Sequence, residues 1–437
     1  MQIEWVRFDR ERYNPRAFAA VRQGAREGTL LDVATDQIFI GLLLRNLQQS
    51  LTVTENNTQL EFRPTIKFSD KPVRQPESIR TAETGKSNST ALVDGDYCVK
   101  VFRRTEAGIN PVIEVGRFLT EVAHFPNAPA LLGSVEFLEG QQRSAIATVH
   151  AQVAHQGDGW TVTSAYLDRF VDDQRWLAAN GNGGKHEEQT PYLRIMSQAG
   201  RRLAELHLAL ASHPEVAEFA PEEIILEDVQ RWTGEAIARA DRLFDVLSQR
   251  DAVREADRPL IEKLLAQRNG LHARLSELLP PDIDGSAIRI HGDFRLEQMQ
   301  IVKDDIFIIG FEGEAGLPLA ERQRKAPPAR DVAGLIRSID YSVIAAKDRA
   351  LKVAPDDQGK LDAALKGWRD RSAAAFSAAY RESMTKARLW PADRHATDAM
   401  VNFFLLEKAV HEIEYELTHR PEWLRLPVAG LLRMLEA

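Results

Sequence analysis

The apolar pattern of this chain changes character near residue 160, and that change constrains the fold more than any other feature. Before it, short apolar and β-branched runs alternate with turn signals; Asp94-Gly95-Asp96 separates two such runs and predicts a β-hairpin over 91–102. After it, apolar residues recur at helical spacing over long segments. The sequence therefore predicts an α+β protein with a small β-rich lobe and a large, mainly helical lobe.

Periodicity and breaker residues place the predicted elements along the chain. In the first part we predict a strand at 3–8, helical segments over 14–51, an extended segment at 59–68, a helix over 110–125 and strands at 133–137 and 145–153. In the second part we predict helices over 192–210, 227–249, 258–279, 331–346, 361–383 and 399–417, with strands at 287–290 and 306–311. We divide the chain into a cap subdomain (1–80), a β-rich nucleotide-binding lobe (81–158) and a helical lobe (159–437).

Composition excludes several classes of protein. The 437 residues carry 56 Lys and Arg against 64 Asp and Glu, a net charge of −8 that gives no general attraction to nucleic acid or to an anionic membrane. Cys98 is the only cysteine, which fits a reducing compartment and excludes an internal disulfide. The longest apolar run, 38–44, is too short to span a bilayer, and the first residues lack a secretion signal, so we expect a cytoplasmic protein.

The strands predicted at 287–290 and 306–311 enclose the segment that carries the most chemistry. Asp293 follows the first strand in a His-Gly-Asp triplet, and Gln298 comes five residues later. Phosphoryl transfer needs a base near the attacking hydroxyl, oxygen ligands for magnesium and a cation on the nucleotide phosphates. Asp293 is the candidate base and Gln298 a candidate magnesium ligand. Taken alone, each also suits an ordinary loop or strand-end residue.

Gly310 stands where such a site places a metal-binding aspartate at the end of the second strand. Side chains alternate along a strand, so Gly310 and Glu312 are expected on one face. Glu312 is therefore the nearest carboxylate that could hold the metal instead. A glycine is expected to leave room for it, for Glu314 or for water held by Glu297.

Lys100 lies within the apolar run 97–102 and has two interpretations. With an acidic residue on the next helix, Glu114 or Glu121, it forms a clamp for nucleotide phosphates. Alternatively, it is an edge-strand lysine that discourages aggregation. One sequence does not decide between them.

Several segments, in order along nearly the whole chain, resemble bacterial maltokinases, which have the aminoglycoside-phosphotransferase fold. The main matches are His291-Gly-Asp-Phe-Arg-Leu-Glu-Gln298, 311–322 and 330–341, with further matches at 87–90, 110–111, 114–121, 127, 156–160, 404–409 and 420–423. The resemblance implies a bilobal kinase-like fold and ATP-dependent phosphorylation of maltose to maltose 1-phosphate, with Mg²⁺ as cofactor. It also implies trehalose synthase as a possible partner.

The resemblance assigns roles to residues. Asp293 is implied as the catalytic base, Gln298 as a magnesium ligand and Lys100 as the phosphate clamp with Glu114. A loop over the phosphates is implied at Ser87, Asn88, Ser89 and Thr90, a hinge at Ala151 to Val153, and a sugar-binding stripe at Glu407, His411 and Tyr415, four residues apart on one helix face. A core or solvated stripe is the alternative for that face.

The chain departs from the family pattern at four places. Arg295 and Glu297 replace histidine and glycine, Gly310 replaces the strand-end aspartate, His411 replaces tyrosine, and the amino-terminal cap is shortened. Two alternatives to an active maltokinase follow: a degenerate kinase that binds sugar or nucleotide as a regulatory protein, and a kinase for another acceptor such as an amino sugar.

Overall fold

The computed structural model describes residues 2–4, 17–32, 34, 36–69, 71–81, 88–180, 189–249, 253–314, 316–385 and 387–436. It contains two compact units, Met1–Ala154 and His155–Ala437. Within the described residues, no helix combines the length and the apolar character that a bilayer span requires.

The first unit holds two antiparallel sheets. Its strands are β1 (Gln2–Glu4), β2 (Ala17–Gln23), β3 (Arg26–Leu31), β4 (Thr52–Glu55), β5 (Thr58–Pro64), β6 (Ile79–Thr81), β7 (Asn88–Val93), β8 (Tyr97–Phe102), β9 (Leu131–Glu139) and β10 (Gln142–Ala151). The small sheet has the order β1-β3-β2 and the large one β4-β5-β9-β10-β8-β7-β6. Because β4 and β5 share the large sheet with β7 to β10, the division proposed at residue 80 runs through one sheet.

Helix α1 (Gln37–Gln48) supplies the apolar cover of the large sheet. Asp36 caps its start, since the Oδ1 atom accepts hydrogen bonds from the backbone amides of Ile38 and Phe39 at 2.9 and 3.2 Å. The buried residues of α1 pack with those of the strands in one core: Ile40, Leu43, Leu44, Leu47, Phe62, Val99, Val135 and Val149. Helix α2 (Pro111–Arg117) continues as a π-helical turn, Phe118–Val122.

The second unit is mainly helical, as predicted. Its helices are α3 (Gly159–Asn180), α4 (Thr190–Leu210), α5 (Leu226–Leu247), α6 (Arg258–Leu265), α7 (Arg268–Leu278), α8 (Leu319–Arg322), α9 (Ala329–Val353), α10 (Gln358–Met384), α11 (Arg394–His419) and α12 (Arg425–Glu436), with 3₁₀ turns at Glu255–Asp257, Leu296–Gln298, Pro355–Asp357 and Pro421–Trp423. Within the described residues, two short two-stranded antiparallel sheets complete it: β11 (Glu222–Glu223) with β12 (Ser286–Ala287), and the hairpin of β13 (Met299–Val302) and β14 (Asp305–Ile308).

Several element predictions differ from the structure; the strand predicted at 287–290, for example, is the short β12, which ends at Ala287. The helical pattern over 14–51 contains β2 and β3 before α1, because helical spacing in a short window does not exclude a strand pair. The predicted helix over 258–279 is two helices, α6 and α7. The strand predicted at 306–311 ends at Ile308, where the chain leaves the β13-β14 hairpin.

Candidate active site

The His-Gly-Asp segment is a loop between β12 and β13, and a buried carboxylate anchors its backbone. Asp331, in the first turn of α9, is 1% exposed and accepts hydrogen bonds from the amides of His291 and Gly292 at 2.7 and 2.9 Å. Its Oδ2 atom also lies 3.0 Å from Nε2 of His207, whose Nδ1 lies 2.8 Å from the Tyr380 hydroxyl. Burial opposes the charge on Asp331, but these partners lower its pKa below the ordinary value.

Further contacts fix the residues that flank the loop. The Nε2 atom of His291 lies 2.8 Å from the carbonyl oxygen of Ile309, to which it donates, and the Leu296 amide donates to the Ser338 hydroxyl at 3.1 Å. Gly334 lets α9 approach closely, since a Cβ atom there would lie 2.7 Å from the Phe294 carbonyl oxygen. The loop is therefore held from both sides by main-chain contacts.

The carboxylate of Asp293 lies between two cations. Its Oδ1 atom accepts from Nζ of Lys408 at 3.2 Å, and its Oδ2 atom is 3.2 Å from Nε of Arg295. Lys408 also donates to Oε1 of Glu314 at 2.5 Å, and Nε2 of His411 lies 3.1 Å from the same oxygen. The carboxylates of Asp293 and Glu314 thus share one ammonium group.

Electrostatics in this cluster favour charged Lys408 and Glu314. Burial opposes both charges, but Glu314 and Asp293 hold the pKa of Lys408 above its ordinary value, and Lys408 with His411 and Arg330 holds the pKa of Glu314 far below its own. Burial lowers the pKa of His411 to about 4, against the opposing effect of Glu314. His411 is therefore neutral near pH 7.

The space at Gly310 is filled, which corrects the expectation that a glycine leaves room there. Gly310 has φ +83°, and an added Cβ atom would lie 1.9 Å from Oε1 of Gln298. Gln298 therefore lies against the position where the family places its metal-binding carboxylate. The strand ends at Ile308 and Gly310 has a positive φ, so the expected strand alternation does not reach Glu312.

The described side chains do not fit a protein-held magnesium ion. Within those residues no three His, Cys, Asp or Glu side chains lie together as a metal-binding group. Asp293 and Glu314 already bind cations of the protein, and Glu297 lies 3.6 Å from Arg295. Magnesium requires oxygen ligands in octahedral geometry, and the carboxylates of Asp293 and Glu314 already face Lys408.

The three residues of the predicted sugar-binding stripe lie on α11, as expected, but have different partners. Glu407 binds Arg330 at 2.9 Å and lies 3.4 Å from Arg239, whereas His411 faces Glu314. Tyr415 stacks on His419, with ring centroids 4.4 Å apart. Their shared role in sugar binding stays a prediction.

The predicted nucleotide-binding residues lie in the first unit. Ser87 is outside the described residues. Asn88, Ser89 and Thr90 form the start of β7 rather than a loop, because they pair in register with Phe102, Val101 and Lys100. The Ser89 hydroxyl is buried and accepts from Nε of Arg103 at 2.9 Å.

Lys100 lies on β8, whose neighbours in the sheet are β10 and β7. The edge-strand interpretation of Lys100 is therefore wrong. Of its two candidate partners, Glu121 already lies 3.2 Å from Arg117, which leaves Glu114 on α2 as the candidate. Ala151 ends β10, and Val153 follows it near the end of the first unit; their hinge role stays a prediction.

Sequence reasoning missed Lys408, Asp331 and His207; it named Glu314 as a candidate metal ligand, whereas this carboxylate binds Lys408. Lys408 precedes His411 by three residues on α11, so the two share a helix face, and a lysine beside the buried Ala409 and Val410 was a usable signal. Asp331 gave a weaker signal, an acidic residue in a first helical turn. His207 carried none, because its partners are distant in sequence.

Comparison with solved structures defines the class of fold. A structure of glucosamine kinase in complex with glucosamine, ADP and inorganic phosphate matches with a TM-score of 0.66 and 22% identity, covering 95% of this chain and 87% of that one. A second glucosamine kinase structure, crystal form B, matches with a TM-score of 0.66 and 20% identity, over 94% and 88% of the two chains. The predicted kinase-like α+β fold, with a β-sheet part and a helical part, is confirmed.

Comparison with curated proteins gives particular relatives. The chain is 27% identical over 352 residues to a glucosamine kinase of Streptacidiphilus jiangxiensis, spanning 80% of this chain and 72% of the relative. It is 24% identical over 293 residues to a glucosamine kinase of Mycolicibacterium smegmatis, spanning 67% and 63%. No protein-family model matches. These relatives are kinases of an amino sugar, whereas the sequence resemblance pointed to maltokinases.

Proposed function

We propose that this protein is an ATP-dependent sugar kinase whose acceptor is an amino sugar. The observation that carries the proposal is the loop of Asp293, which Asp331 anchors through two backbone amides, in a chain similar to glucosamine kinases. A fixed carboxylate at this place suits a base that receives the proton of an acceptor hydroxyl. The hydroxyl oxygen then attacks the γ-phosphorus, and the bond to the β,γ-bridging oxygen breaks to release ADP.

The remaining roles belong to the same proposal. Lys100, with Glu114 as its partner, is the proposed clamp for the ATP phosphates, with Ser87 to Thr90 near them. Glu407, His411 and Tyr415 are the proposed contacts of the sugar. Maltose as acceptor and trehalose synthase as partner rest on the sequence resemblance alone, so maltose enters the test as a competitor of amino sugars.

ADP release, coupled to a spectroscopic signal, tests the proposal. The protein is supplied with ATP, magnesium and one acceptor at a time: glucosamine, galactosamine, N-acetylglucosamine, glucose or maltose. We expect release with an amino sugar, and we expect Asp293→Asn to lower kcat about 10²- to 10⁴-fold, the usual contribution of a general base. Release with maltose alone would refute the amino-sugar assignment, and release equal in Asp293→Asn would refute the role of Asp293.

Two structural observations favour a second function, that of a sugar- or nucleotide-binding protein without turnover. The Gln298 side chain fills the place of the missing carboxylate, and the described residues form no metal-binding group. On this alternative, glucosamine raises the midpoint of thermal unfolding while no acceptor gives ADP release. The same acceptor panel, measured by thermal unfolding, separates the two functions.

A further inference from the structure

Two acidic side chains of the candidate site, Asp293 and Glu314, lie near cations that the protein itself supplies. Asp293 lies near Lys408 and Arg295, each at 3.2 Å. Glu314 lies 2.5 Å from Lys408 and 3.7 Å from Arg330. In many phosphotransfer sites the neighbouring carboxylates instead bind metal ions. Here the positive charge between the two carboxylates belongs to the Lys408 side chain.

Lys408 has the geometry of a fixed cation rather than of a surface lysine. Its side chain is 19% exposed, and the carboxylates of Asp293 and Glu314 that it joins are 13% and 6% exposed. By contrast, the side chain of Lys366 on α10 is 73% exposed and binds its helix neighbour Asp370. Ammonium groups that donate to two carboxylates lose freedom and hold both acceptors in place.

We infer that Lys408 is the resident cation of this site: its Nζ atom positions Asp293 and prevents a divalent ion from binding between Asp293 and Glu314. The filled space at Gly310 supports this inference, since Gln298 occupies the region where a further metal-binding carboxylate would stand. The Lys408 ammonium group supplies one positive charge at a fixed place. It needs fewer oxygen partners than the octahedral shell that a magnesium ion requires.

The inference rests on the proposed function only for the role of Asp293, and its first test needs no activity. Mn²⁺ binding to the protein without nucleotide is measured by electron paramagnetic resonance and by calorimetry. We expect no binding by the unchanged protein. We expect Lys408→Met to bind one Mn²⁺ with a dissociation constant of about 10⁻⁴ to 10⁻³ M, as for weak carboxylate sites, because two carboxylates then face each other without a cation.

Two further variants keep this test decisive. Lys408→Met combined with Glu314→Gln removes the carboxylate pair, so Mn²⁺ binding should disappear. The double variant also leaves less uncompensated buried charge than Lys408→Met alone, and it should therefore be the more stable of the two. Lys366→Met is the matched control and should bind no Mn²⁺. Binding of Mn²⁺ by the unchanged protein, or its absence in folded Lys408→Met, would overturn the inference.

Kinetics test the positioning role separately. If Lys408 orients Asp293, Lys408→Met should lower kcat about a hundredfold, the effect of misplacing a reacting group by about 1 Å, with little change in KM for ATP. Lys408→Arg, which keeps the charge, should restore at least a tenth of the activity. Equal kcat in Lys408→Met and the unchanged protein overturns the inference even where the sugar kinase activity is established. Absence of turnover with every acceptor overturns the proposed function and leaves the Mn²⁺ result to decide on Lys408.

Discussion

Restoring an aspartate at residue 310 should damage this protein rather than repair it. The family pattern makes Gly310→Asp the obvious change for recovering a metal ligand. However, the backbone at Gly310 has φ +83°, and the new Cβ atom would lie 1.9 Å from Oε1 and 2.5 Å from Cδ of Gln298. The substitution therefore requires a strained backbone and the displacement of the Gln298 side chain.

The structure gives the magnitude of this effect. Placing an aspartate in the left-handed region costs about 1 to 2 kcal/mol. Forcing Gln298 from its rotamer and its contacts costs about 1 to 2 kcal/mol more. We expect Gly310→Asp to lower the free energy of unfolding by about 2 to 4 kcal/mol and the midpoint of thermal unfolding by about 4 to 10 °C.

A double-mutant cycle isolates the steric part of this cost. Gln298→Ala removes the obstacle, so the combination of Gly310→Asp with Gln298→Ala should be less destabilised than the sum of the single variants by about 1 to 2 kcal/mol. Gly310→Ala serves as the uncharged control and should behave as Gly310→Asp does. Urea unfolding followed by circular dichroism measures the unchanged protein and the four variants. Additive effects, or an unchanged midpoint in Gly310→Asp, would refute the reasoning.

Two more predictions concern the buried charges. Asp331→Asn should lower the free energy of unfolding by about 2 to 4 kcal/mol near pH 7, because charge-assisted hydrogen bonds to two amides and His207 are weakened; the pKa of Asp331 is lowered in the folded state, so the deficit should shrink below about pH 4. His411 has a pKa of about 4 when folded and 6.5 ordinarily, so the unfolded chain binds more protons between these values. Stability should therefore fall by about 3 kcal/mol as the pH drops from 6.5 to 4, and this dependence should weaken in His411→Phe. Denaturant titrations from about pH 7 down to about pH 3 check both predictions, and pH-independent differences would contradict them.

The sequence predicted the features that depend on local pattern. The hairpin of β7 and β8 follows from its turn residues, and α4, α9 and α11 follow from the spacing of their apolar residues. The β2-β3 pair was missed because short segments in this part of the chain fit both the helical and the strand spacing of apolar residues. The pattern of apolar and turn residues thus located the Asp293 loop, but it did not identify the side chains that contact this loop.

The missing parts of the candidate site depend on tertiary contacts. Lys408 reaches Asp293 across 115 positions of sequence, and His207 reaches Asp331 across 124. No local rule joins such pairs. The conformation of Gly310 depends on the path of the chain after β14 and on the Gln298 side chain. The sequence identifies the glycine at this position, but not that Gln298 occupies the space beside it.

The shared sheet of the first unit bears on how this protein can be dissected. β9 pairs with β5 on one side and with β10 on the other, and its residues from Leu131 to Glu136 are buried. A chain shortened to start near residue 80 would keep β9 and lose β5. It would then present a long, apolar, unpaired strand edge, which is a template for intermolecular β-pairing. The residues before 80 therefore prevent aggregation by covering the edge of β9, and any shortened version of the first unit should include them.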